Sequence, residues 1–195
     1  MIHYDVIHQA RYSRGELLLR TFFGWLYIAI PHLFLLFFIS IGAIVLMFLA
    51  WWVVLFTGKY PRSFFNYQVN ALRWEARVEA RMLHLSDGYP AFGMSKEDPG
   101  IILDIPYPER LSRGHLLLRT FFGWLYCLIP HVFVLLFRGI ATAFVVFFAW
   151  WVVLITGDYP KTLHAFVVGT SRWNYRLNAY IMFLTDTYPP FRGKP

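Results

Sequence analysis

Two stretches of this chain stay apolar for longer than any packed soluble helix needs. Phe22 to Gly58 reads FFGWLYIAIPHLFLLFFISIGAIVLMFLAWWVVLFTG. Phe121 to Gly157 reads FFGWLYCLIPHVFVLLFRGIATAFVVFFAWWVVLITG, and Arg138 is the only Lys, Arg, Asp or Glu in either. As one helix, each would run about 55 Å against a hydrocarbon core of about 30 Å. The pattern therefore predicts two membrane-embedded hairpins, over about residues 17–57 and 116–156. Their turns are expected at Ser40-Ile41-Gly42 and Arg138-Gly139, where Arg138 avoids a cost of about 3 kcal/mol for a charge at mid-bilayer.

A different pattern follows each stretch. Phe65, Val69, Leu72, Ala76, Ala80 and Leu83 recur at three- and four-residue steps, with Asn66, Asn70, Arg73, Arg77, Arg81 and His84 opposite. That spacing predicts an amphipathic helix over about 61–85, lying in the membrane interface. Its twin over about 160–184 is more aromatic, with Phe166, Trp173, Tyr175, Tyr180 and Phe183.

The two blocks are copies. With an offset of 99, about half the positions from Arg11 to Phe92 match those from Arg110 to Phe191 without a gap, far above chance self-similarity. The chain divides into repeat 1 (1–93), a polar linker (94–100) and repeat 2 (101–195). Each repeat opens with a short extended piece, Ile2 to Ile7 or Ile101 to Ile105. Ser13 and Ser112 then read as helix N-caps, with Glu16 completing a capping box in the first. Arg20 is expected to snorkel to the headgroups. Basic residues flank each apolar block on both sides: Arg11, Arg14 and Arg20 before the first, Lys59 and Arg62 after it. By the positive-inside rule both ends of each hairpin are cytoplasmic, which makes the repeats parallel rather than inverted. The fold class expected is thus an all-α, multi-pass membrane protein of two parallel repeats, with both termini cytoplasmic. No secretory signal peptide is visible.

Composition sharpens this picture. Of 195 residues 58% are hydrophobic and 21% aromatic, which suits a protein with much surface at a membrane–water boundary. The net charge of +7 sits beside the apolar blocks, so it reads as a topology signal and a contact for anionic lipid, not a nucleic-acid site. The single cysteine, Cys127, leaves no internal disulfide and no cysteine-based metal site. No H-E-x-x-H, G-x-S-x-G or phosphate-cradling G-x-x-x-x-G-K-[ST] occurs, and no catalytic residue or metal ligand is assigned.

Candidate chemistry centres on residues that the repeat makes equivalent. His32 and His131 each follow a proline inside an apolar segment. They are the candidates for contacting a haem or quinone, set against bonding to the backbone that the prolines disturb. Structural reasons dominate, and no cofactor is expected. Arg73, Trp74, Arg77, Arg81, Arg172 and Trp173 are the candidates for lipid or partner contact. Asp87 and Asp186 are expected to form structural ion pairs with Arg73 and Arg172, with Asp5 and Asp104 as other partners for the same arginines.

The pattern S-R-G-x-L-L-L-R (Ser13 to Arg20), W-W-V-V-L-x-T-G-x-Y-P (Trp51 to Pro61) and R-W followed by D-x-Y-P-x-F (Arg73-Trp74 to Phe92), repeated 99 residues later, resembles a family of bacterial membrane proteins known as domain of unknown function 4389. The resemblance implies a bacterial inner-membrane location and supplies no activity. Together these readings point to a non-enzymatic inner-membrane scaffold or accessory subunit, with membrane lipids and other membrane-protein subunits as partners and no nucleic acid. The alternatives are a lipid-binding or membrane-shaping protein, and an electron-transfer subunit built on the Pro-His pairs. Oligomeric state is not readable from the sequence.

Overall fold

The computed structural model describes residues 2–195. Apart from one two-stranded sheet it is all-helical, in the order β1 (His3–Val6), α1 (Arg14–Thr57), α2 (Arg62–Met82), β2 (Ile101–Asp104), α3 (Arg113–Thr156) and α4 (Lys161–Ile181). Two of these helices, α1 and α3, are long and apolar enough to cross a membrane.

The expected hairpins are absent. Helix α1 runs unbroken through Ser40-Ile41-Gly42, and α3 runs unbroken through Arg138-Gly139. Gly42 serves a close contact rather than a turn: the Tyr67 hydroxyl packs over it and donates to the Ile39 carbonyl (3.1 Å), leaving no room for a Cβ. Arg138 is held on the side of the helix by α4, where Nε donates to Thr170 Oγ1 (3.0 Å) and Nη2 to the Phe166 carbonyl (3.3 Å). What breaks regularity in each long helix is a single π-helical turn, Trp25–Ala29 and Trp124–Leu128, just before Pro31 and Pro130. Proline has no N–H to donate, and the wider turn shifts the hydrogen-bond ladder around it.

The real hairpin in each repeat is the long helix with its return helix. Gly58 ends α1 at φ 72°, a left-handed conformation that a side chain would strain. Pro61 then leads into α2, which runs back along α1, so that Gln68 Nε2 donates to the Ala43 carbonyl (2.6 Å) and Met82 reaches Gly24. Helix α2 is buried on two faces, which its one apolar stripe did not announce. Phe65, Val69, Leu72, Ala76 and Ala80 enter the main core, while Trp74 and Val78 pack on Ile28 of α1. It is therefore an internal helix and not an interfacial one.

The repeats are related by a pseudo-twofold axis that sets the two long helices antiparallel to each other. Strands β1 and β2 pair antiparallel with Tyr4 opposite Leu103, which are equivalent residues, and this places the sheet on the axis. Around it the contacts come in matched pairs. Arg14 Nη2 donates to the Ile155 carbonyl (2.7 Å), and Arg113 Nη2 to that of Phe56 (2.8 Å). Trp51 Nε1 donates to Thr120 Oγ1 and Trp150 Nε1 to Thr21 Oγ1, both at 2.8 Å. Tyr12 and Leu111 donate their N–H groups to the Gly157 and Gly58 carbonyls, both at 2.9 Å. Each repeat thus caps the C-terminal carbonyls of the other's long helix, groups that no helix can satisfy by itself.

The outer faces of α1 and α3 are left uncovered by the other described residues. Phe22, Phe34, Phe37, Phe48 and Phe56 of α1 are each at least 60% exposed, and α3 repeats the pattern. Among the described residues, the large exposed apolar side chains outside these two helices are Ile7, Tyr89, Phe92, Ile102, Tyr188 and Phe191. On α1 the exposed face extends from Leu18 to Phe56, about 57 Å at 1.5 Å per residue.

Candidate functional site

Each repeat builds one aromatic clamp around its Pro-His pair. Trp74 Nε1 donates to His32 Nδ1 at 2.7 Å, and Trp173 Nε1 to His131 Nδ1 at 2.8 Å. Both histidines are fully buried. The terminal D-x-Y-P-x-F motif closes the clamp, with Tyr89 at 5.2 Å and Phe92 at 4.7 Å from His32, centroid to centroid. In repeat 2, Phe191 stacks flat on His131 at 3.9 Å.

The tyrosine of that motif repairs what the proline breaks. An N–H at position 31 would bond the Tyr27 carbonyl in a regular helix. Pro31 cannot, and the Tyr89 hydroxyl donates to that carbonyl instead (3.2 Å). Tyr188 does the same for Tyr126 (3.2 Å). The backbone repair expected of the imidazoles is thus made by tyrosines, while the imidazoles take the tryptophans. With Nδ1 accepting, the neutral ring carries its proton on Nε2, and neither nitrogen keeps a lone pair for a metal. Metal-binding histidines show the opposite arrangement, with the second nitrogen donating. Among the described residues no group of three or more His, Cys, Asp or Glu could hold a metal ion.

The arginines chosen from the sequence are mostly interior. Arg77 is 2% exposed and donates to the carbonyls of Ala91, Gly93 and Lys96; Arg81 is 5% exposed and pairs with Asp98 (2.7 Å). Together they pin the linker, so this side of α2 faces protein rather than lipid. Trp74 and Trp173, each 2% exposed, are likewise enclosed. Arg172 donates to the Tyr4 carbonyl (2.7 Å) and pairs with Asp5 across the repeat boundary (3.1 Å). Its equivalent, Arg73, donates to the Leu103 carbonyl (2.9 Å) and lies 3.9 Å from Asp104.

Asp87 and Asp186 do form ion pairs, but with other arginines than expected. Asp87 takes Arg20 (2.7 Å) and Asp186 takes Arg119 (2.5 Å). Arg20, 3% exposed, does not snorkel; it also donates to the Ser86 carbonyl. The second oxygen of each aspartate accepts the N–H of the N-cap serine, Ser13 or Ser112, at 2.6 Å. Glu16 accepts the Gly88 N–H (2.5 Å) instead of closing a capping box. The motifs S-R-G-x-L-L-L-R and D-x-Y-P-x-F are therefore two halves of one lock.

Beside this lock sits His84, in a left-handed conformation at φ 58°. Burial, and next the positive charge of Arg20, push its imidazole down to about 4. The unfolded chain takes up this proton near 6.5. Between those two values the unfolded state binds more protons, so stability falls as the pH is lowered from about 6.5 towards 4. Thermal melts at pH 7.5 and pH 5 should show the loss. His84→Asn, which tolerates this backbone conformation, should reduce the dependence, and the buried His164, also pushed down by burial, should leave a remainder of the same sign.

Fold and site together define a helical protein made of two interlocked copies of one motif set, with two helices long and apolar enough to cross a membrane. The family described as Domain of unknown function (DUF4389) matches it twice, over residues 16–93 and 116–192, and the chain belongs to that family. No curated protein and no solved structure matches the chain.

Proposed function

We propose that the chain is a non-enzymatic scaffold or accessory subunit of the bacterial inner membrane. The observation that supports this is the one-sided surface: two long helices with apolar outer faces, over an interior whose histidines and most of whose arginines are engaged in internal bonds.

The same surface favours a particular seating. An exposed apolar face of about 57 Å is nearly twice the hydrocarbon thickness of about 30 Å. Upright helices would leave much of it in water. The charge pattern also disfavours spanning. Arg11, Arg14 and Lys161 flank one end of the helix pair, and Lys59, Arg62, Arg110 and Arg113 the other, so neither end is the less basic. In this reading α1 and α3 lie in the plane of the cytoplasmic leaflet, with the pseudo-twofold axis along the membrane normal. Both repeats then present the same face to lipid, and both termini stay cytoplasmic.

Mild detergent extraction from the native host, followed by identification of everything that co-purifies, tests the function. The expected result is a membrane protein in fixed stoichiometry, with no Soret band. A Soret band lost in His32→Ala and His131→Ala would overturn the reading in favour of electron transfer. A monomer without any partner would overturn the subunit role.

A further inference from the structure

Between the first half of α4, the end of β1 and the segment 191–195 lies a crevice of about 870 Å³. It is lined by Arg138, Lys161, Arg172, Arg192 and Lys194, with Asp5 the one acidic side chain. Asp5 is already paired with Arg172. No other lining cation has a carboxylate partner among the described residues. The crevice is thus a concentration of uncompensated positive charge, a large local potential for an anion.

Repeat 1 provides the internal comparison. Where repeat 2 has Arg138, Arg192 and Lys194, repeat 1 has Ile39, Gly93 and Ser95. Where His8 and His164 line the crevice, the symmetry-equivalent place has Tyr107 and Phe65, whose rings meet at 5.0 Å with Arg62 over Tyr107 at 4.4 Å. The basic groups near that place, Arg73 and Arg77 of repeat 1 and Lys96 of the linker, share a hollow with Glu97, Asp98 and Asp104. The equivalent hollow, lined by Phe65, Asn66, Arg73 and Tyr107, is smaller, at about 360 Å³, and has one cation where the crevice has five.

Arg138 joins this crevice to the apolar surface. It is half-buried on α3 between exposed Phe137 and Ile140, and Phe166 lies under its guanidinium at 4.5 Å. Thr170 and the Phe166 carbonyl hold Nε and Nη2, while Nη1 has no protein partner among the described residues. A planar guanidinium fixed in this way presents its remaining donors to a phosphate.

We propose that this crevice binds the phosphate of an anionic phospholipid headgroup, with the acyl chains leaving along the exposed face of α3 beside Arg138. The proposal rests on the membrane-surface reading above. A phosphate ester is shared by lipids and soluble anions, and the continuity of the basic floor with the apolar helix face selects the lipid.

The test titrates the full-length protein in mild detergent with short-chain phosphatidylglycerol or phosphatidylcholine, with native mass spectrometry as the readout. One phosphatidylglycerol should bind per chain, about tenfold tighter than phosphatidylcholine. Arg138→Gln should lower that affinity by at least about fivefold. The double change Arg192→Ser with Lys194→Ser, on exposed side chains that leave the packing intact, should do the same. Lys96→Ser in the linker should leave it unchanged. Equal binding of both lipids, or unaltered affinity in the double variant, overturns the site. Full displacement by millimolar inorganic phosphate overturns the lipid as its source. Selectivity retained by a protein that does not associate with vesicles would support the site while sinking the membrane reading.

Discussion

Asp87→Ala should destabilise the protein by about 3–5 kcal/mol, the range for removing one partner of a buried ion pair. The Arg20 side chain is 2% exposed and that of Asp87 15%. Without the carboxylate, a charged guanidinium stays buried with only the Ser86 carbonyl to receive it. The Ser13 N–H, at the start of α1, loses its acceptor in the same step. Asp186→Ala should behave alike through Arg119 and Ser112. Against a typical domain stability of about 5–15 kcal/mol, either change leaves little margin. Asp104→Ala gives the contrast. Its pair with Arg73 is long (3.9 Å) and exposed, so at most about 1 kcal/mol is expected. Denaturation midpoints of the three variants in one detergent check both statements, and equal losses for Asp87 and Asp104 would refute the lock.

Cutting the chain in the 94–100 linker should abolish folding of either half as a monomer, while the two halves made together should reassemble. The reason is the exchange of groups across the pseudo-twofold axis. Each half keeps its own hairpin but loses the arginine that caps its long helix, the threonine that accepts its tryptophan and the partner of its strand. Leu17, Val54, Leu116 and Val153, all at most 1% exposed in the whole chain, share the core through which the repeats meet. Size-exclusion chromatography and far-UV circular dichroism of the separate and co-expressed halves provide the check. A folded, monomeric half would contradict the interlock.

The repeat, the helix ends and the clamp residues were legible because each leaves a local signature. Gly58, Pro61 and Ser13 act through their own backbone or nearest neighbours. His32, Trp74, Asp87, Tyr89 and Phe92 stand out because the copy 99 residues on preserves them. Partner choice was not legible. Asp87 is closer in sequence to Arg73 than to Arg20, and nothing in a spacing shows which arginine the return helix brings near. The false hairpin has the same origin. Gly42 and Arg138 look like turn residues when no neighbour is known, yet one accommodates Tyr67 and the other is bound by Thr170, both on return helices. The direction of the second repeat is silent as well, since a duplication fixes which residues correspond and not the axis that relates them.

The seating of α1 and α3 is the claim on which the functional reading depends, and membrane depth tests it most directly. Single cysteines at Phe23, Ser40 and Phe56, in a Cys127→Ser background, would carry a fluorophore, with quenchers placed at graded depths in the bilayer. Helices lying in the leaflet predict similar, shallow depths for all three labels. A label at Ser40 near the bilayer centre, with those at Phe23 and Phe56 towards opposite surfaces, would contradict it.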